Sequence, residues 1–168
     1  MIVGARIPIP SNRQVNPMNH GHAPTLADLA DRSGVDVLDH LDTQVRVPVI
    51  AGLQAQGDLI VIPEDLVPQV RPYSQSIRLN VAGSGIELLR SESGGNPHTL
   101  VSDPGTCFWY PSVNDLIRLS LGFLETQVSA YLIHPEHGAT GMAPGRYLIR
   151  RQRERNGSSG TADRFVYD

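Results

Sequence analysis

From Val45 onward the chain runs in short apolar stretches broken by glycine and proline. Val45-Arg46-Val47-Pro48-Val49 alternates with its valines on one face, and Ile77-Arg78-Leu79-Asn80-Val81 and Ile117-Arg118-Leu119-Ser120-Leu121 alternate in the same way. Leu59-Ile60-Val61-Ile62 is fully apolar, is entered through Gly57-Asp58 and is stopped by Pro63. Residues 85–89, 99–101, 107–110, 128–134, 146–153 and 164–167 are further strand candidates. Many short strands separated by turn residues predict a β-sandwich or a small barrel. Long helical periods are missing from this region, which argues against parallel βαβ units. The expected fold is therefore mainly β: a small antiparallel barrel or a jelly-roll or cupin-like sandwich. Pro48 suits an edge strand or a bulge there.

The helical signal lies earlier, in residues 25–42. Thr25 and Asp28 have capping-box spacing, Leu26, Leu29 and Ala30 share a helical face, and Gly34 suits the position just past a helix end. A second short helix through Val35, Leu38 and Leu41 would complete a helical hairpin. The rhythm resembles the first helix and turn of a helix-turn-helix. However, the second helix would carry Asp36, Asp39 and Asp42 and no arginine, so it would repel phosphate. An amphipathic hairpin packed on the sheet or on a neighbouring subunit is the better reading. Residues 1–24 lack apolar periodicity after Ile9 and read as an extended arm. The H-x-H at His20 and His22 there is too little to define a metal site. The division is thus arm 1–24, hairpin 25–42 and β domain 45–168.

Length and composition narrow the class. A chain of 168 residues suits one domain that buries its core without staples. The single cysteine, Cys107, rules out an internal disulfide, and its apolar surroundings suggest a buried, inert thiol. A net charge of −3 is too small for a global nucleic-acid or membrane field. All basic residues are arginine, which biased genome composition explains. The first residues lack a signal-peptide pattern, and no stretch approaches the roughly 20 apolar residues of a membrane helix. The expectation is a soluble cytoplasmic protein, or a component of a particle assembled in the cytoplasm, with no membrane partner.

Candidate chemistry concentrates between His134 and Glu154. Pro135 fits the second position of a turn, so His134-Pro135-Glu136-His137 should fold back and bring both imidazoles to one side. His98 follows a glycine loop at the start of another strand. His98, His134, His137 and Glu136 together offer a donor set for zinc or non-haem iron. The spacing matches neither the helical H-E-x-x-H of zinc proteases nor the cupin ligand motif. The favoured reading of His134 and His137 is hydrogen bonding to backbone that stabilises the turn, ahead of metal binding or general-base use. Arg146, Arg150, Arg151, Arg153 and Arg155 follow, opposed locally only by Glu154. In a strand, Arg151, Arg153 and Arg155 would line one face and Arg150 the other. Such a stripe suits a protein partner or phosphates, but Tyr147 is its lone aromatic, so a base-stacking platform is not indicated. Ion pairing to carboxylates such as Glu125 or Asp163 is the favoured account. There is no G-x-S-x-G, no phosphate-binding loop and no C-x-x-C, and Gly83-Ser84-Gly85 reads as a hairpin turn.

Gly94-Gly95-Asn96-Pro97-His98, then His134-Pro135-Glu136-His137-Gly138, Pro144-Gly145-Arg146-Tyr147 and Arg150-Arg151-Gln152-Arg153-Glu154, resemble the motifs of a family of small uncharacterised β-rich bacterial proteins. The resemblance runs from about Val45 to the end. It implies no reaction, and residues 156–161 look like an insertion before the family's usual ending. The functional expectation is a non-enzymatic β-rich binding or assembly module. It would contact a protein partner or itself, as a homo-oligomer, through the N-terminal arm and the Arg-rich strand. The alternatives are a metal-dependent cupin-like enzyme using His98, His134 and His137, and a nucleic-acid-associated accessory protein using Arg146 to Arg155.

Overall fold

The computed structural model describes residues 23–90, 96–154 and 164–165. Almost all of the expected arm 1–24, with His20 and His22, lies outside the described residues, as do Arg155 and Asp163. The helix α1, Leu26–Ser33, is followed by strands β1 (Val49–Ile50), β2 (Gln54–Gln56), β3 (Leu59–Pro63), β4 (Arg71–Pro72) and β5 (Leu79–Asn80). Then come β6 (Ile86–Leu89), β7 (His98–Val101), β8 (Cys107–Tyr110), β9 (Val113–Asn114) and β10 (Ser120–Thr126). The series ends with β11 (Ala130–His134), β12 (Gly138–Met142), β13 (Gly145–Arg151), β14 (Arg153–Glu154) and β15 (Arg164–Phe165). No helix among the described residues is long and apolar enough to cross a membrane.

Two sheets form a sandwich. One has five strands in the order β1-β12-β11-β7-β6, the other six in the order β2-β3-β13-β10-β8-β5. Strand alternation explains the layering. Leu132 of β11, Leu100 of β7, Leu124 of β10 and Ile149 of β13 meet in the core between the sheets. Their neighbours point outward: Tyr131 and Ile133 pack under α1, while Phe123 and Leu148 pack under Val67 and Val70. Because both faces of each sheet are covered, β11 is buried at all five positions. Its sequence AYLIH therefore reads as a continuous apolar run rather than an alternating one.

The helix forms as its sequence dictates. The Thr25 side chain accepts from the Asp28 N–H, the Asp28 carboxylate accepts from the Thr25 N–H, and Gly34 closes the end at φ 72°. Arg32 ties α1 to the sheet: its guanidinium donates to Gly83 O and Ser102 O and pairs with Asp103 at 3.0 Å.

Three expectations need correction. The second helix of the hairpin does not form. Val35, Val37 and Leu41 pack against the α1 cluster from irregular chain, because two β-branched valines at period two and the helix-ending Gly34 favour extended backbone. Of the two expected β forms it is the sandwich that is found: among the described residues no sheet closes into a barrel, and β1 pairs parallel with β12. Ile117 and Leu119 are outside any strand; the Asp115 carboxylate captures the Ile117 N–H, and Arg118 turns to φ 54°. Gly83-Ser84-Gly85 is no hairpin: it carries the chain from β5 in one sheet to β6 in the other. A short link after β1 likewise crosses to β2. Each open side of the sandwich is thereby spanned by covalent chain.

Candidate functional site

His98 shares the inward parity of Leu100, and His134 that of Leu132, so β7 and β11 place both imidazoles at one end of the sandwich interior. Each is 2 % exposed. The facing sheet supplies Gln56 at the end of β2 and Asp58 in the two-residue turn to β3, where Gly57 takes φ 53°. His137 extends the group outward. His134 returns to Gly138 through a three-residue loop, with Gly138 at φ 71°, so Pro135, Glu136 and His137 form the turn anticipated from Pro135.

The three imidazoles come together in a row, stacked between His134 and His137 and tilted by 34° between His98 and His134. Ring centroids are 4.4 Å apart for His98 and His134, 4.6 Å for His134 and His137, and 6.5 Å for His98 and His137. The row runs from the buried His98 to the exposed His137. The stacked His134 and His137 rings turn their faces to one another, whereas a metal needs ring nitrogens converging edge-on at about 2.0–2.1 Å.

Hydrogen bonding accounts for both nitrogens of His134 and for Nδ1 of His98. Gln56 Nε2 donates to Leu132 O at 3.1 Å and Gly138 O at 3.2 Å. That fixes the amide and turns Oε1 to His98 Nδ1 at 3.3 Å, which must then carry the proton. His98 Nε2 stands 2.7 Å from Asp58 Oδ1. The Glu136 N–H donates to His134 Nδ1 at 3.2 Å, so His134 is the neutral tautomer with its proton on Nε2, 3.2 Å from Asn96 O. Glu136 turns away to accept from Asn96 Nδ2 at 2.8 Å. Among the described residues no three His, Cys, Asp or Glu side chains are arranged to hold a metal ion. The group brought together is a polar seam between two sheets.

The Arg-rich strand is partly tied into the chain. Arg146 pairs with Glu64 at 3.0 Å, lies 3.8 Å from Glu125 and stacks over Phe123. Arg150 grips Asp115 with Nε at 3.1 Å and Nη2 at 2.8 Å, and both side chains are largely buried. Burial pushes the Asp115 carboxyl up, but bonds from Ser120 and Arg150 outweigh it and hold the group below its ordinary value. Arg151 is half-buried, and the side chain of Arg153 lies outside the described residues. Burial raises the Cys107 thiol to about 11, which fits an inert core residue.

Sequence reasoning passed over Gln56, Asp58, Asn96 and Asp115. Asp58 was visible only as a turn residue, and nothing local marks which turn will face a histidine across a sandwich.

No curated protein and no solved structure matches the chain. Residues 55–152, more than half of its length, match the family model described as a domain of unknown function, DUF8820. The matched span runs from β2 to just past β13, includes the whole histidine seam and leaves α1 outside. By that match the chain belongs to the DUF8820 family, a family of unknown function, which fits the uncharacterised family expected from the sequence.

Proposed function

We propose that the chain acts by contact, as a non-enzymatic β-sandwich module that binds a protein partner or a second copy of itself. The observation that carries this reading is the run of exposed apolar side chains at one edge of the sandwich. Val49, Ile50 and Leu53 lie 37 %, 44 % and 60 % exposed where the chain crosses from β1 to β2. Clustered apolar surface at a sheet edge is what a contact uses and what an isolated domain avoids. The histidine seam is compatible with the same reading, since Gln56, on one sheet, hydrogen-bonds Leu132 O and His98 on the other and so ties the two sheets together. Arg146 remains exposed beside its carboxylates and can contribute to a contact, whereas Arg150 is committed to Asp115.

Elemental analysis of the purified full chain, alongside its His134→Ala variant, tests the reading. The expected result is no stoichiometric zinc or iron in either. Stoichiometric metal that disappears with His134→Ala would overturn it in favour of a metal-dependent enzyme. A complex with RNA or DNA that weakens with salt and is lost when Arg151 and Arg153 are neutralised would overturn it in favour of nucleic-acid binding.

A further inference from the structure

The two open sides of the sandwich differ in how they are protected. On one side, Arg78 precedes β5 and stacks on Phe108, while Glu87 of β6 pairs with Arg90 at 2.7 Å. Charges at a sheet edge discourage pairing with another strand. On the opposite side, residues 47–57 contain no charged side chain. Residues 48–53 are all exposed, as is Ala55. The backbone there is open too. Pro48 O accepts from Gly141 N and Ile50 O from Ala143 N, so both face β12. Strand alternation then directs the N–H and C=O of Val49 away from the sheet. β2 is likewise the outermost strand of its own sheet.

We propose that residues 48–55 form a two-fold interface with a second copy of this chain, centred on Val49, Ile50 and Leu53. This rests on the contact reading above and names its partner. Charge complementarity selects the occupant. Across a two-fold axis each surface meets itself, so a patch of one sign would repel its own image, whereas a neutral apolar edge is self-complementary. On a chain of net charge −3, the uncharged edge lets two copies approach without like charges in contact. Antiparallel pairing of β2 with its own copy is the arrangement a two-fold axis imposes on identical strands. It would give the outer backbone groups of β2 partners while covering Leu53. Proline before β1 and glycine at position 52 keep the edge short, which suits one pairing partner better than an open-ended array.

Sedimentation velocity of the full chain, compared with Ile50→Lys, Leu53→Lys and Ile77→Lys, tests the proposal. Ile77 is 67 % exposed beside the guarded edge and serves as the control. The expected result is a dimer for the parent and Ile77→Lys, and a folded monomer for the other two whose melting, unlike the parent's, no longer depends on concentration. A parent that stays monomeric at all concentrations would overturn the proposal, as would a dimer that both Ile50→Lys and Leu53→Lys leave intact. A second measurement does not depend on those variants folding well. Cys107 is buried, so Ala51→Cys supplies a single reactive thiol, and mild oxidation should link two chains through it. Failure to cross-link, with Asp31→Cys on the exposed face of α1 as the background control, counts against the interface. None of these outcomes is the appearance of stoichiometric metal, which is what would overturn the contact reading itself.

Discussion

Removing the carboxylate of Asp58 should destabilise the domain far more than its position in a two-residue turn suggests. Asp58 and His98 are 4 % and 2 % exposed and 2.7 Å apart, and they join the β2–β3 turn of one sheet to β7 of the other. Asp58→Ala leaves the His98 Nε2 in the interior facing a cavity, and breaking a buried pair from one side costs about 3–5 kcal/mol. The backbone contribution of Asp58, accepting the Gln152 N–H at 2.7 Å, survives the substitution. With a urea dependence of about 2 kcal/mol per molar, the midpoint should fall by about 2 M. Trp109, the chain's only tryptophan and part of the inter-sheet core, reports the transition by fluorescence. His98→Ala should be costly too. The double variant should cost less than the two singles together by about 1–3 kcal/mol, since each single strands the other's partner. A loss below about 0.5 kcal/mol for Asp58→Ala, or strict additivity in the cycle, would refute the inter-sheet pair as a stabilising contact.

A Cβ at Gly122 would lie 2.3 Å from the Trp109 ring and 2.6 Å from Tyr110 O, so Gly122→Ala should cost about 1–3 kcal/mol, measured by the same unfolding curve. Cys107, with its thiol raised to about 11 by burial, should be unreactive toward an aromatic disulfide reagent at pH 8 and titrate fully once the chain is unfolded; rapid native reaction would contradict its burial. The folded Asp115 carboxyl lies below its ordinary value, so its stabilisation is complete above the unfolded value of about 3.9 and is lost as pH falls through the lower folded value. Asp115→Asn should therefore lower stability at neutral pH and flatten the acid limb, and an acid limb parallel to the parent's would count against the Arg150–Asp115 bond as its source.

Much of the architecture was legible where one local signal dominated. Cys107-Phe108-Trp109-Tyr110 became β8 with the bounds its apolar run suggested, and the Thr25–Asp28 spacing became a capping box. Residues 117–121 alternate as well as any strand, yet only the part from Ser120 onward is one, because the Asp115 side chain offers the backbone a competing turn. Val35 and Leu38 match a helical period, but β-branching and Gly34 prevail there. The turn that sets His137 beside His134 was readable from Pro135, whereas the approach of His98 to them was not. Nor were their partners. Gln56 and Asp58 reach the histidines from the other sheet, and how two sheets are set against one another depends on core packing summed over many residues rather than on any local pattern.

The strand order also has a consequence for how the protein is made. β13 lies between β3 and β10 in the six-stranded sheet, and β1 waits for β12 in the other. A chain emerging from the ribosome N-terminus first thus exposes one edge of Leu59–Pro63 until Arg151 has been synthesised. No early half can close by itself. Non-local pairing of this kind slows folding and lengthens the time that unpaired edges are open to other chains. Fragments ending before Gly145 should accumulate as aggregates, so in this fold the integrity of the last strands decides the fate of the first.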